Sequence, residues 1–121
     1  MSTKQERRQE CINRAKAAIK AGTLDASGAL ELARELKDLD EFGYAWRLLE
    51  HFRKSDEVTK NDALDLQFRQ KIALCTYKDT HLNDEYRLVR ALEILDQGDH
   101  LKVSTDPETL GLAGAIHKRL W

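Results

Sequence analysis

The stretch from Ser27 to Phe52, SGALELARELKDLDEFGYAWRLLEHF, constrains this chain more than any other. At the helical period its first half places Ala29, Leu32, Ala33, Leu36 and Leu39 on one stripe, and its second half does the same with Phe42, Ala45, Trp46, Leu49 and Phe52. Neither helix can bury its stripe alone, and a tight turn near Asp40 separates them. The segment is therefore predicted to fold as an antiparallel helix pair. The small residues Ala33 and Ala45 let the two backbones approach where the pair crosses.

The 121 residues make one domain or a piece of a longer one, large enough for a core without staples. A single proline and six glycines leave few breaks in the helical pattern. Twenty basic and 21 acidic residues nearly cancel, so no global charge draws the chain to nucleic acid or an anionic membrane. Cys11 and Cys75 sit among apolar neighbours and read as two reduced, buried thiols. No window reaches the roughly 20 apolar residues of a membrane span, and MSTKQERRQECINR has no apolar secretory core. A cytoplasmic location is expected.

The remaining segments carry similar signals. A first helix from Thr3 to Ala21, closed by Gly22, has the stripe Arg8, Cys11, Ile12, Ala15, Ala18 and Ile19, and its other face carries Lys4, Arg7, Arg14, Lys16 and Lys20 against Glu6 and Glu10. Residues 1–22 are expected to form a capping helix on an array covering 23–121. Asp25 or Ser27 can cap the second helix. The polar run Arg53 to Glu57 reads as a loop between repeats. A fourth helix, about Asn61 to Tyr77, is apolar on two faces, with Leu64, Phe68, Ile72 and Cys75 on one and Leu66, Ala73 and Tyr77 on the other, so it is expected to be covered on both sides. A fifth, about Asp84 to Gln97, carries Leu88, Val89, Leu92 and Leu95 and ends at Gly98. Thr105-Asp106-Pro107-Glu108 starts a sixth helix, with Leu110, Ala113, Gly114, His117 and Leu120 on one side and Trp121 last. The predicted fold is all-α: about six helices in stacked antiparallel pairs, as a fragment of a longer array with an incomplete last repeat. Leu120 and Trp121 are expected to self-associate, making a homodimer through the C-terminal helix.

The first pair resembles the tetratricopeptide pattern, with Ala33 at the eighth position, Leu36 at the eleventh, Ala45 at the twentieth and Leu49 at the twenty-fourth. Leu110, Gly114 and His117 look like the fourth, eighth and eleventh positions of a later repeat. Ala73 and Ala91 stand eighteen apart instead of twelve, implying longer helices or a longer turn in the middle repeat. The closing segment STDPETLGLAGAIHKRLW resembles a stretch of bacterial tetratricopeptide proteins that share a domain with the TRAF-binding region of mitogen-activated protein kinase kinase kinases. That resemblance implies an adaptor or regulatory scaffold in intracellular signalling.

Catalytic and metal chemistry find no constellation. His51, His81, His100 and His117 have no ligand spacing, and the acidic pairs Asp38/Asp40 and Asp96/Asp99 fall at turns and helix ends, where capping accounts for them. No enzyme activity, cofactor or metal is expected. In a tetratricopeptide superhelix the first helix of each repeat lines the concave groove. The resemblance thus places Arg34 and Lys37 from the first repeat, Gln70, Tyr77 and Lys78 from the second, and Lys118 from the third along one groove. A protein or peptide partner of acidic character is the expected occupant. The rival reading is nucleic-acid binding, with Arg7, Arg8, Arg14 and Lys20 of the first helix contacting phosphates.

Overall fold

The computed structural model describes residues 3–22, 24–96 and 107–120, the last without its side chain. Gly98, the Thr105-Asp106 cap, the Leu120 side chain and Trp121 therefore lie outside the described residues. Every regular element among them is helical: α1 (Lys4–Ala21), α2 (Ala26–Asp38), α3 (Phe42–Arg53), α4 (Asp56–Thr59), α5 (Asp62–Lys78), α6 (Asp84–Asp96) and α7 (Pro107–Leu120).

Local chemistry sets the ends. Thr3 and Glu6 form a reciprocal capping box on α1, and Gly22 closes it in the left-handed region at φ 64°. Asp25 caps α2 by accepting from the Gly28 amide at 2.8 Å, and Asn61 caps α5 by accepting from that of Leu64 at 3.1 Å. Between α2 and α3 the chain reverses at Asp40, the one described non-glycine residue with positive φ (61°), a conformation that Asp tolerates through its short polar side chain.

The expected loop at 53–57 is corrected by the structure: Ser55 precedes a one-turn helix, α4. Its Val58 is fully buried in the core, and the Glu57 carboxylate accepts from the Ala26 amide at 2.6 Å, closing the start of α2. One apolar residue among polar neighbours leaves no stripe to read, so this turn is stabilised by what it touches.

α2 packs on α3 and α5 on α6, α3 joins the two pairs, α1 lies against the first, and α7 lies against α5 and α6. This is an all-α solenoid of tetratricopeptide type. Leu32, Ala33 and Leu36 of α2 meet Ala45, Leu48, Leu49 and Phe52 of α3 in one continuous core with Phe68, Ile72, Ala73, Leu88, Ala91, Ile94 and Leu95. α5 is covered on both sides, as its two apolar faces require. With 17 residues against 13 in α2, and a longer turn before α6, it accounts for the wide spacing of Ala73 and Ala91.

Three arginines fasten neighbouring elements. Arg8 donates to the Leu39 carbonyl at 3.0 Å beside Glu41, Arg69 to the Leu95 carbonyl at 3.0 Å while pairing with Asp65, and Arg87 to the Tyr77 carbonyl while pairing with Asp84. Each reaches the carbonyl end of another helix, where a cation and a donor are both favourable. Trp46 adds a tie between the pairs, its indole N–H donating to the buried Asp79 carboxylate at 2.8 Å.

Candidate binding cleft

Between α2 and α5 runs a cleft of about 420 Å³, lined by Leu30, Glu31, Ala33, Arg34 and Lys37 of α2, Leu49 of α3, and Gln67, Lys71 and Cys75 of α5. The spacing explains the composition. Residues 30, 34 and 37 share one face of α2, and 67, 71 and 75 follow each other at one-turn intervals on α5. Leu49, Ala33 and Cys75 form a buried apolar floor. Arg34, Lys37 and Lys71 add positive charge above it.

Among the described residues Arg34 and Lys37 have no hydrogen-bond or ion-pair partner, and Lys71 reaches Glu108 of α7 only at 3.9 Å in an exposed pair. Such exposed pairs contribute about 0–1 kcal/mol and yield readily to a better partner. Among the described residues Glu31 is the sole carboxylate in the lining. Burial pushes the Cys75 thiol up to about 11 against the pull of Lys37, Lys71 and Lys78, so it is protonated at neutral pH and serves as floor rather than nucleophile.

The six positions expected along one groove separate into several places. Arg34 and Lys37 line the cleft. Gln70 is corrected: it is buried, and its amide donates to the Thr109 hydroxyl at 3.0 Å, holding α7 against α5. The residue that lines the cleft at this level is its neighbour Lys71, which sits one turn before Cys75; that interval was the available signal. Tyr77 and Lys78 line a second cavity with Phe42, Thr80, Arg87 and Arg119. Lys118 is exposed on α7 and borders neither space.

The apolar face of α7 is also corrected. Thr109, Ala113 and Ile116 are buried, whereas Leu110 is 43% exposed and Gly114 and His117 face outward. Of the first-helix cations, Arg8 is held by Leu39 and Glu41, and Arg14 pairs with Glu35 at 3.1 Å; Arg7 and Lys20 are exposed. Among the described residues no group of three metal-ligating side chains forms, and no helix is long and apolar enough to cross a membrane.

Comparison with known families places this geometry. The family model described as Tetratricopeptide Repeats-Sensor matches residues 25–121, from the Asp25 cap through α7, and leaves α1 outside. Searches of curated proteins and of solved structures return no match. Tetratricopeptide-type arrays serve protein–protein interaction through the surfaces that their stacked helix pairs present. With 97 of 121 residues inside the match, the chain belongs to the Tetratricopeptide Repeats-Sensor family.

Proposed function

We propose that the α2–α5 cleft holds a segment of a protein partner, extended or helical, with an apolar side chain on the floor and carboxylates bonded to Arg34, Lys37 and Lys71. The observation that carries this reading is the pair of unpartnered cations above an apolar concavity. A solvated helix face needs no floor, and a core contact needs no free charge. Charge-assisted bonds at the rim orient the segment, while burial of its anchor supplies affinity.

The role is that of an adaptor or regulatory scaffold without catalysis. The likeness of the closing segment to signalling tetratricopeptide proteins and the word sensor in the family's description both support a regulatory setting. α1 serves as the cap on the array, its apolar stripe laid on the first pair. Self-association is proposed for the C-terminal helix, since Leu110 is exposed there and, among the described residues, nothing lies within 4 Å of where a side chain would start at Gly111 and Gly114.

A display library of random peptides tests the cleft. Enriched sequences are expected to combine Asp or Glu with Leu, Ile or Phe, and to lose binding at least tenfold to the Arg34→Glu/Lys37→Glu variant. Peptides that bind this variant as well as the parent chain would remove the cleft from consideration.

A further inference from the structure

The second cavity, about 300 Å³, lies where α3 begins and α5 ends, and its walls are Phe42, Tyr77, Lys78, Thr80, Arg87 and Arg119. Half of these side chains are cations, and no carboxylate is among them. They come from α5, α6 and α7 and are organised around Tyr77. Arg87, 7% exposed, donates to the Tyr77 carbonyl, and its Nε donates to Asp84 at 3.2 Å. The Arg119 guanidinium lies 5.6 Å above the centre of the Tyr77 ring. Lys78, next in the chain, is exposed and has no hydrogen-bond or ion-pair partner among the described residues.

Among the described residues four acids lie nearby: Asp40 and Glu41 border an adjoining space that shares Phe42, Lys78 and Thr80, with Glu41 paired to Arg8, and Asp79 and Asp84 are held by other partners. Asp84 is bonded to Arg87, and the buried Asp79 accepts from the Trp46 indole at 2.8 Å and from the His81 amide at 3.1 Å. Among the described residues neither Lys78 nor Arg119 forms an ion pair, so both stand as positive charges at a concave site, with the Thr80 hydroxyl beside them and Phe42 supplying an apolar wall.

We propose that this cavity is a second binding site, for a phosphate monoester carried on a phosphorylated serine or threonine of a protein partner. A phosphate brings close to two negative charges and three acceptor oxygens, matching two free cations and a hydroxyl where one carboxylate would leave a cation unmatched. Arg119 offers a planar fork and Lys78 a mobile point charge, and Phe42 and Tyr77 flank the stem. The cavity also lies on the same helix as the cleft. Seven residues separate Lys71 from Lys78, about 10 Å along α5, so one segment can reach both. The protein source of the phosphate rests on the reading of the cleft as a partner site; the preference for a phosphate group stands apart from it.

The test is an NMR titration of the full chain with three probes: N-acetylphosphoserine methylamide, its unphosphorylated counterpart, and inorganic phosphate. The phosphoserine probe is expected to shift the Phe42 and Thr80 amides and the Arg119 side-chain N–H saturably, and the serine probe to leave them unmoved. Lys78→Ala/Arg119→Ala should weaken the phosphoserine probe at least tenfold, whereas Arg34→Glu/Lys37→Glu should leave it unchanged. Failure of the display peptides at the cleft would not alter this readout, so the two proposals fail separately. The absence of saturable shifts, or shifts that survive Lys78→Ala/Arg119→Ala, would overturn the site. Inorganic phosphate binding as tightly as phosphoserine would overturn the phosphorylated side chain as its source.

Discussion

Replacing Arg69 with Met removes an anchor while keeping an unbranched apolar stem in its place. Arg69 is 4% exposed; its Nη1 donates to the Leu95 carbonyl at 3.0 Å and its Nε to Asp65 at 3.0 Å. Loss of a charged donor to a buried carbonyl costs about 1.5–3 kcal/mol. The Asp65 contact adds about 0.5–1 kcal/mol, since Asp65 keeps Arg53 at 2.9 Å and part of its hydration. The total is about 3 kcal/mol. At about 4 °C per kcal/mol for a domain of this size, Tm should fall by about 12 °C in a thermal melt followed by circular dichroism. Arg69→Lys, which keeps the charge but not the fork, should fall between the two.

The acid limb supplies an independent signature. Burial pushes the Asp65 carboxyl up, but hydrogen bonds and charge from Arg53 and then Arg69 outweigh it and hold it below its ordinary value. A depressed carboxylate contributes stability that is present above the unfolded pKa, about 3.9, and is lost as pH falls through the folded value. Arg69→Met should shrink that loss. A stability change below about 1 kcal/mol with an unchanged acid limb would refute the anchoring role.

Other perturbations probe the remaining ties. Glu57→Ala should cost about 1 kcal/mol in urea denaturation by freeing the Ala26 amide, and no change would mean that α4 contributes only Val58. A double-mutant cycle on Trp46→Phe and Asp79→Asn should give a coupling of about 1 kcal/mol or more, whereas additivity would show that the bond does not join the repeats. Light scattering over a concentration range should show a dimer that polar substitutions at Leu120 and Trp121 dissolve; a monomer throughout would end the self-association proposal.

Legibility in the sequence followed the range of each interaction. Stripes and caps act within a turn or two, so the paired helices, the Gly22 stop and the reversal at Asp40 could be read directly. α4 could not, because Val58 and Glu57 gain their stability from the core and from Ala26, 31 residues away. Arg8 reads only as a stripe member, and nothing in the sequence singles out Arg69, for the same reason: their carbonyl partners are 31 and 26 residues distant. On α7, Leu110, Leu112, Ala113 and Ile116 give apolar residues on two sides, and the buried side is chosen by a polar contact, Gln70 to Thr109, that hydrophobic counting misses. That contact also explains the one-residue error at the cleft, where Gln70 turns to α7 and Lys71 lines the concavity. That Arg34 and Lys37 share the face of α2 that lines the cleft could be read from the sequence, because α2 fits the repeat pattern without insertions.

The most direct measurement of the central claim is a hydrogen-exchange footprint of the full chain with and without the tightest display-selected peptide. Protection is expected to concentrate in residues 30–37 and 67–75, the two walls of the cleft, with α1 unchanged. Protection confined to α1 or to the outer face of α6 around Tyr86 and Val89, with the walls of the cleft exchanging as in the free protein, would contradict the account.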